Sequence, residues 1–272
     1  MTKIDKDSGF ANINNARIYY EVAGAGQPFI MIHAGIADSR QWNNEFQYFA
    51  AHFRVIRYDM RGFGRSEPVA GEFSHLQDLM ALLEYLQIVD PAILMGCSMG
   101  GILAMDFAFH QPSAVKALVM VGSVPGGFSL DVPNPASFAE AEKAYEDEDF
   151  DLVAALEVQI WFDGMGRHPA QVNQPMRRLA YEMDRNRLAH YEKHLGTRLP
   201  NTHIQVAEHL DELRMPVLVM VGGHDVPFIL AAADYMLDNI PSVQRVMLDD
   251  AAHLPNMDQP EAFQRAVTNF LG

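Results

Sequence analysis

The run Ala92-Ile93-Leu94-Met95-Gly96-Cys97-Ser98-Met99-Gly100-Gly101 decides how this chain folds. Its first four residues are continuously apolar, the mark of a strand buried on both faces. A helical stretch, Ile102–His110, follows. Between them lies G-x-S-x-G at a strand-to-helix turn. A turn that sharp strains the backbone at its apex and crowds the residues two before and two after it. Gly96 and Gly100 meet that crowding with no side chain. The turn lifts the Ser98 hydroxyl above the sheet and aims the Met99 N–H where an oxyanion would form. The pentapeptide alone also describes a glycine-rich turn with an incidental serine; its place after a buried strand gives it weight.

Working outward, short apolar runs recur at Arg17–Val22, Phe29–His33, Val55–Tyr58, Ala117–Val121, Val217–Val221 and Val243–Leu248. Most are continuous rather than alternating, which predicts a mostly parallel sheet; Arg17–Val22 is less apolar and reads as an edge strand. Helical spacing at Leu76–Ile88 and a closing helix at Pro260–Leu271 alternate with them. The predicted class is therefore α/β, with helices on both faces of the sheet. The alternation breaks between Ser123 and Met215. There a Gly/Pro-rich linker, Val124–Pro135, leads to two helical regions, about Ser137–Phe162 and Gln171–Gly196. So long an insertion should have its own structure. We read residues 1–123 and 211–272 as the core and 124–210 as a helical cap.

A serine hydroxyl needs a base supplied from elsewhere in the chain. Gly222-Gly223-His224-Asp225 follows one late strand, and Ala251-Ala252-His253-Leu254-Pro255 follows the next. Asp225 and His253 thus fall at the carboxyl edge of the sheet, where Ser98 lies and where ligands of open α/β sheets bind. His224, Asp249 and Asp250 are rivals; the last two would have to fold back on their own loop. Alternatively Asp225 is a turn-former and His253 a loop histidine without a role. Near the amino end, His33-Ala34-Gly35 makes Gly35 a second oxyanion donor, with His33 bracing the loop. Asp59 and Arg61, in Asp59-Met60-Arg61-Gly62-Phe63-Gly64-Arg65-Ser66, read as loop-bracing charges. Cys97 is expected to be a small buried residue pointing away from the Ser98 face.

Together these motifs resemble the α/β-hydrolase superfamily, over about residues 10–123 and 211–272. Ala252-His253-Leu254-Pro255-Asn256-Met257-Asp258-Gln259-Pro260 is also typical of it. Within it the chain is most similar to small carboxylesterases and enol-lactonases. Dehalogenases and epoxide hydrolases place Asp where Ser98 stands, and ring-cleavage C–C hydrolases usually place Trp where Leu254 stands. The usual His-Gly pair of the oxyanion loop is His33-Ala34 here. The resemblance implies a serine hydrolase with a Ser98–Asp225–His253 triad and an oxyanion hole from Gly35 and Met99, cleaving a small carboxylic ester or lactone through an acyl-enzyme. The alternatives are a C–C bond hydrolase or perhydrolase using the same residues, or a slow-turnover ligand receptor. Phe128, Trp161 and Met183 of the cap are the expected substrate-binding residues. No cofactor and no metal are expected.

Composition bounds the partners. The chain has 272 residues, 49% hydrophobic and 20% charged, with a net charge of −15. Such acidity argues against non-specific nucleic-acid binding and against a basic membrane-surface patch. The single Cys97 forms no internal disulfide, and the first residues lack the apolar core of a signal peptide. A cytoplasmic monomer or homodimer acting on a small molecule is expected. Within the cap, Val124–Asp163 is strongly acidic and Arg167–Arg198 basic. Exposed pairs between them would each contribute at most ~1 kcal/mol. That acidity disfavours anionic substrates unless a cap arginine faces inward.

Overall fold

The computed structural model describes residues 6–132 and 135–272. The first five residues of the amino-terminal stretch, and Pro133 and Asn134 of the predicted linker, lie outside it. The strands in chain order are β1 (Lys6–Ile13), β2 (Ala16–Ala23), β3 (Pro28–Ile32), β4 (Arg54–Tyr58), β5 (Glu72–Phe73), β6 (Ala92–Cys97), β7 (Val115–Val121), β8 (Thr197–Arg198), β9 (Val217–Gly222) and β10 (Val243–Leu248). Eight of them form one sheet in the order β1-β2-β4-β3-β6-β7-β9-β10. The first two pairings in that order are antiparallel and the rest parallel. β3, β6 and β9 are buried along their whole length, as continuous apolar runs require.

The predicted edge strand is not at the edge. β1 covers β2 through a hairpin whose turn, Asn14-Asn15, has both residues at positive φ. Asparagine tolerates that conformation well. The β1 sequence, KDSGFANI, is largely exposed and carries no apolar run, so periodicity gave no sign of it.

The flanking helices are α1 (Asn43–Phe49), α2 (His75–Tyr85), α3 (Met99–His110), α7 (Pro227–Asn239), α8 (Pro255–Asp258) and α9 (Pro260–Leu271). Apolar side chains of α2, α3 and α7 share one buried cluster, and those of α1 and α9 another, one on each face of the sheet. The fold is the expected α/β hydrolase architecture. Among the described residues no helix is long and apolar enough to cross a membrane.

Between β7 and β9 the chain leaves the sheet for α4 (Ala136–Glu146), α5 (Phe150–Val158) and α6 (Gln174–Tyr191). The first predicted cap helix is broken where Glu148 takes φ +56° and Asp149 caps α5 by accepting from Leu152 N–H. Beyond α5 a π-helical turn, Gln159–Asp163, redirects the chain. β8 pairs with β5, a contact too short for any sequence pattern to signal.

The expectation of weak, exposed ion pairs in the insertion needs correction. Arg177 meets Asp163, and Arg187 meets both Asp184 and Glu157; Asp163 and Asp184 are fully buried. Removing one partner of such a pair strands a buried charge, at a cost of about 3–5 kcal/mol. Among the described residues, of the pairs that join the acidic segment to the basic one only Arg185 with Asp151 fits the exposed description.

A second buried polar group ties the two ends of the core together. Asn256 Nδ2 donates to the Gln41 carbonyl and to Glu45, and Gln264 Nε2 also donates to Glu45. Burial pushes the Glu45 carboxyl up to about 7, against the opposing pull of those amide donors. The folded state therefore keeps a proton that the unfolded chain has already released. The stabilising contribution is complete at low pH and fades as pH rises from about 4.5 to about 7. Urea midpoints measured across that window should fall more steeply for wild type than for Glu45→Gln; parallel curves would contradict this account.

Candidate active site

Ser98 is the single residue between β6 and α3, and it takes φ +52°, ψ −116°. A residue with a β-carbon adopts that conformation only when its surroundings impose it. Its N–H donates to the Val121 carbonyl of β7 (2.8 Å), and its carbonyl accepts from Gly101 and Ile102. A β-carbon on Gly96 would collide with the backbone of Gly100, and one on Gly100 with the carbonyl of Ile32. The Ser98 side chain makes no capping bond to α3. Cys97, one residue earlier, is fully buried in the cluster that also holds Ile93 and Leu254, and burial pushes its thiol up to about 12. A buried, protonated thiol is not a nucleophile.

Asp225 and His253 meet. His253 Nδ1 donates to the Asp225 carboxylate, at 2.9 Å from Oδ2 and 3.1 Å from Oδ1. Both residues are buried. The imidazole lies over Gly122, where a β-carbon would approach Nδ1 to 2.9 Å. Gly122 follows Val121, the acceptor of the Ser98 N–H, and Cys97 Sγ donates to the His253 carbonyl. The acid–imidazole pair therefore sits beside the strained turn. Of the rivals, His224 is occupied elsewhere, its Nδ1 bonding the Met165 carbonyl, and the carboxylate that meets the His253 ring is that of Asp225.

Gly35 faces Met99, whose Cβ and Sδ would lie 3.8 and 3.9 Å from a β-carbon placed on it. The neighbouring Ala34 N–H is taken by Gln41 Oε1 (2.8 Å), which leaves the Gly35 N–H as the one to test for a ligand. His33 braces this loop as expected. Its Nε2 accepts from Met60 N–H and its Nδ1 donates to the Ala34 carbonyl, so the ring is neutral with a fixed tautomer. Burial also lowers its pKa. Asp59 accepts from the N–H groups of Ser39 and Arg65, and Arg61 pairs with Asp78; both are bracing charges.

The three expected substrate-binding residues separate. Trp161, on the π-helical turn, lies 4.5 Å from the His253 ring between centroids, and its carbonyl accepts the His253 N–H. Phe128 packs between Phe228 and Tyr235 of α7; these ring contacts anchor its loop to that helix. Met183 is fully enclosed in the apolar cluster that also holds Phe162, Leu254 and Met257, and exposes no surface to a ligand. The sequence placed Phe128 on the entry linker of the cap and Met183 on one of its helices, and neither position carries a direction toward the elbow.

Two residues of consequence carry no sequence signal. Arg167, whose side chain is buried, donates to the carbonyls of Phe162, Asp163 and Asp250 and to Asp258 Oδ2. It fastens the π-helical turn to the loop that carries His253. Arg198 Nη1 comes within 3.0 Å of Met99 Sδ. Only the fold brings these segments together.

Comparison with known proteins agrees with this architecture. The chain is 25% identical over 298 residues to a 2-hydroxy-6-oxo-6-phenylhexa-2,4-dienoate hydrolase from Burkholderia cepacia, covering 100% of this chain and 99% of that one. It is 24% identical over 265 residues to a pimeloyl-[acyl-carrier protein] methyl ester esterase from Nitrosospira multiformis, covering 93% and 97%. The solved enol-lactonase from Burkholderia xenovorans LB400 superposes with a TM-score of 0.77 at 21% identity, covering 96% and 99%. A family model described as the alpha/beta hydrolase fold matches residues 27–260, and the chain belongs to that family.

Proposed function

We propose that the protein is a serine hydrolase that cleaves a small carboxylic ester or lactone through an acyl-enzyme on Ser98. The observation that carries this reading is the buried Asp225–His253 pair beside a serine held at φ +52°. Asp225 accepts a hydrogen bond from Nδ1–H, which keeps that proton on Nδ1 and leaves Nε2 free to take the Ser98 proton. The hydroxyl oxygen attacks the carbonyl, and His253 returns the proton to the leaving alkoxide. The oxyanion is received by the N–H groups of Met99, in the first turn of α3, and Gly35. Helix first-turn N–H groups have no intrahelical partner, and one such donor lowers the barrier by roughly 3–4 kcal/mol. Water then repeats the sequence on the acyl group. Trp161 shields one face of the imidazole.

A second reading is favoured by a specific observation: relatives from Burkholderia cepacia and Metapseudomonas resinovorans are named as hydrolases of oxo-dienoic acids. The same residues could add water across a C–C bond next to a ketone. Comparing turnover of an aryl acetate with that of a vinylogous diketone separates the two.

Ser98→Ala should abolish ester turnover while leaving the circular dichroism and the unfolding midpoint close to wild type. Near-wild-type turnover by the pure variant would refute the nucleophile. Asp225→Asn should lower kcat by about 10³–10⁴, because the carboxamide cannot hold the productive tautomer. A loss below tenfold would remove Asp225 from the reaction.

A further inference from the structure

The cations of the insertion are mostly spoken for. Arg167 meets Asp258, Arg177 meets Asp163, Arg185 meets Asp151, and Arg187 meets Asp184 and Glu157. Arg178 and Arg198 have no carboxylate partner among the described residues, and of the two Arg198 is the one in contact with Met99. Its nearest polar contact is Met99 Sδ at 3.0 Å, a weak, uncharged acceptor that cannot neutralise it. Met99 follows the strained serine, and its Sδ lies near both Gly35 and Arg198.

The position is fixed by the backbone. Thr197 N–H donates to the Gly71 carbonyl, and Leu199 N–H to that of Phe73, so β8 holds Arg198 beside β5. Arg198 pairs with Phe73, from which aromatic rings run to His75 and Phe63 and end against His33. His75 is buried and neutral, its pKa pushed down to about 3 first by burial and then by Arg198. Arg61 lies over Phe73 but is committed to Asp78. An exposed guanidinium without a carboxylate partner thus stands in contact with Met99, the residue after Ser98, in a protein of net charge −15.

We propose that Arg198 receives a carboxylate carried by the substrate, so that the carbonyl group presented to Ser98 belongs to a compound with a free acid at its far end. This deepens the serine-hydrolase reading and rests on it. A guanidinium presents a planar fork that pairs two N–H groups with the two oxygens of one carboxylate. In a protein of net charge −15, a cation held beside the serine would favour one docking place and orientation for an anionic substrate.

The test compares mono-4-nitrophenyl glutarate, which carries the carboxylate, with 4-nitrophenyl valerate, which does not. Wild type should show the higher kcat/KM on the glutarate ester. Arg198→Gln should cut the glutarate-to-valerate preference at least tenfold, chiefly through KM, and Arg198→Lys should restore part of it. Raising salt should erode the wild-type preference but not that of Arg198→Gln. An unchanged preference in Arg198→Gln would overturn the proposal. A second readout does not depend on turnover: calorimetric binding of monomethyl glutarate to Ser98→Ala, with and without Arg198→Gln. At least tenfold weaker binding in the double variant supports the carboxylate site even if neither ester is hydrolysed, in which case the hydrolase reading alone fails. Equal binding, or none to either protein, overturns it.

Discussion

The backbone crossing at Gly96, Ser98 and Gly100 is the constraint on which the rest depends. β6 and α3 meet with one residue between them, and that residue sits in a conformation that costs on the order of 1–3 kcal/mol. The strain persists because the turn is held from several sides. Val121 takes the Ser98 N–H, Gly101 and Ile102 donate to its carbonyl, and the Gly100 backbone lies against that of Ile32. β3, β6 and β7 must therefore be in register before the serine can be placed. The buried parallel centre of the sheet is the clamp for the reactive position.

The same sheet edge gathers the other groups, but the insertion fixes them. Arg167 bonds the π-helical turn to Asp250 and Asp258, which bracket His253 in sequence. Trp161 accepts the His253 N–H from that turn. On the opposite side Asn256, three residues past His253, is bonded to Gln41, which also holds Ala34 next to Gly35. The imidazole and the proposed oxyanion donor are thus positioned through one continuous set of polar contacts.

Much of this was legible in the sequence. Continuous apolar runs located seven strands of the main sheet, and the elbow pentapeptide followed one of them. Asp225 and His253 were found because each comes just after a late strand, and strand ends converge on one edge. What was not legible has physical reasons. β1 is polar and exposed, so it has no run to read. β8 owes its place to a two-residue pairing with β5. Phe128 and Met183 were apolar residues of the insertion whose direction no periodicity specifies, and they turned toward α7 and the core. The charge split of the insertion was visible, but its burial was not, because composition reports how many charges there are and not their depth.

The contact between Trp161 and His253 has an optical consequence. The chain contains two tryptophans, and the other, Trp42, is fully buried against Phe263. Indole emission is quenched by a protonated imidazole in contact and is restored when the imidazole loses its proton. Trp161, 4.5 Å from the His253 ring, is therefore a native fluorophore mounted on the proposed base. Its emission is sensitive to whatever approaches or displaces that ring, with no label attached.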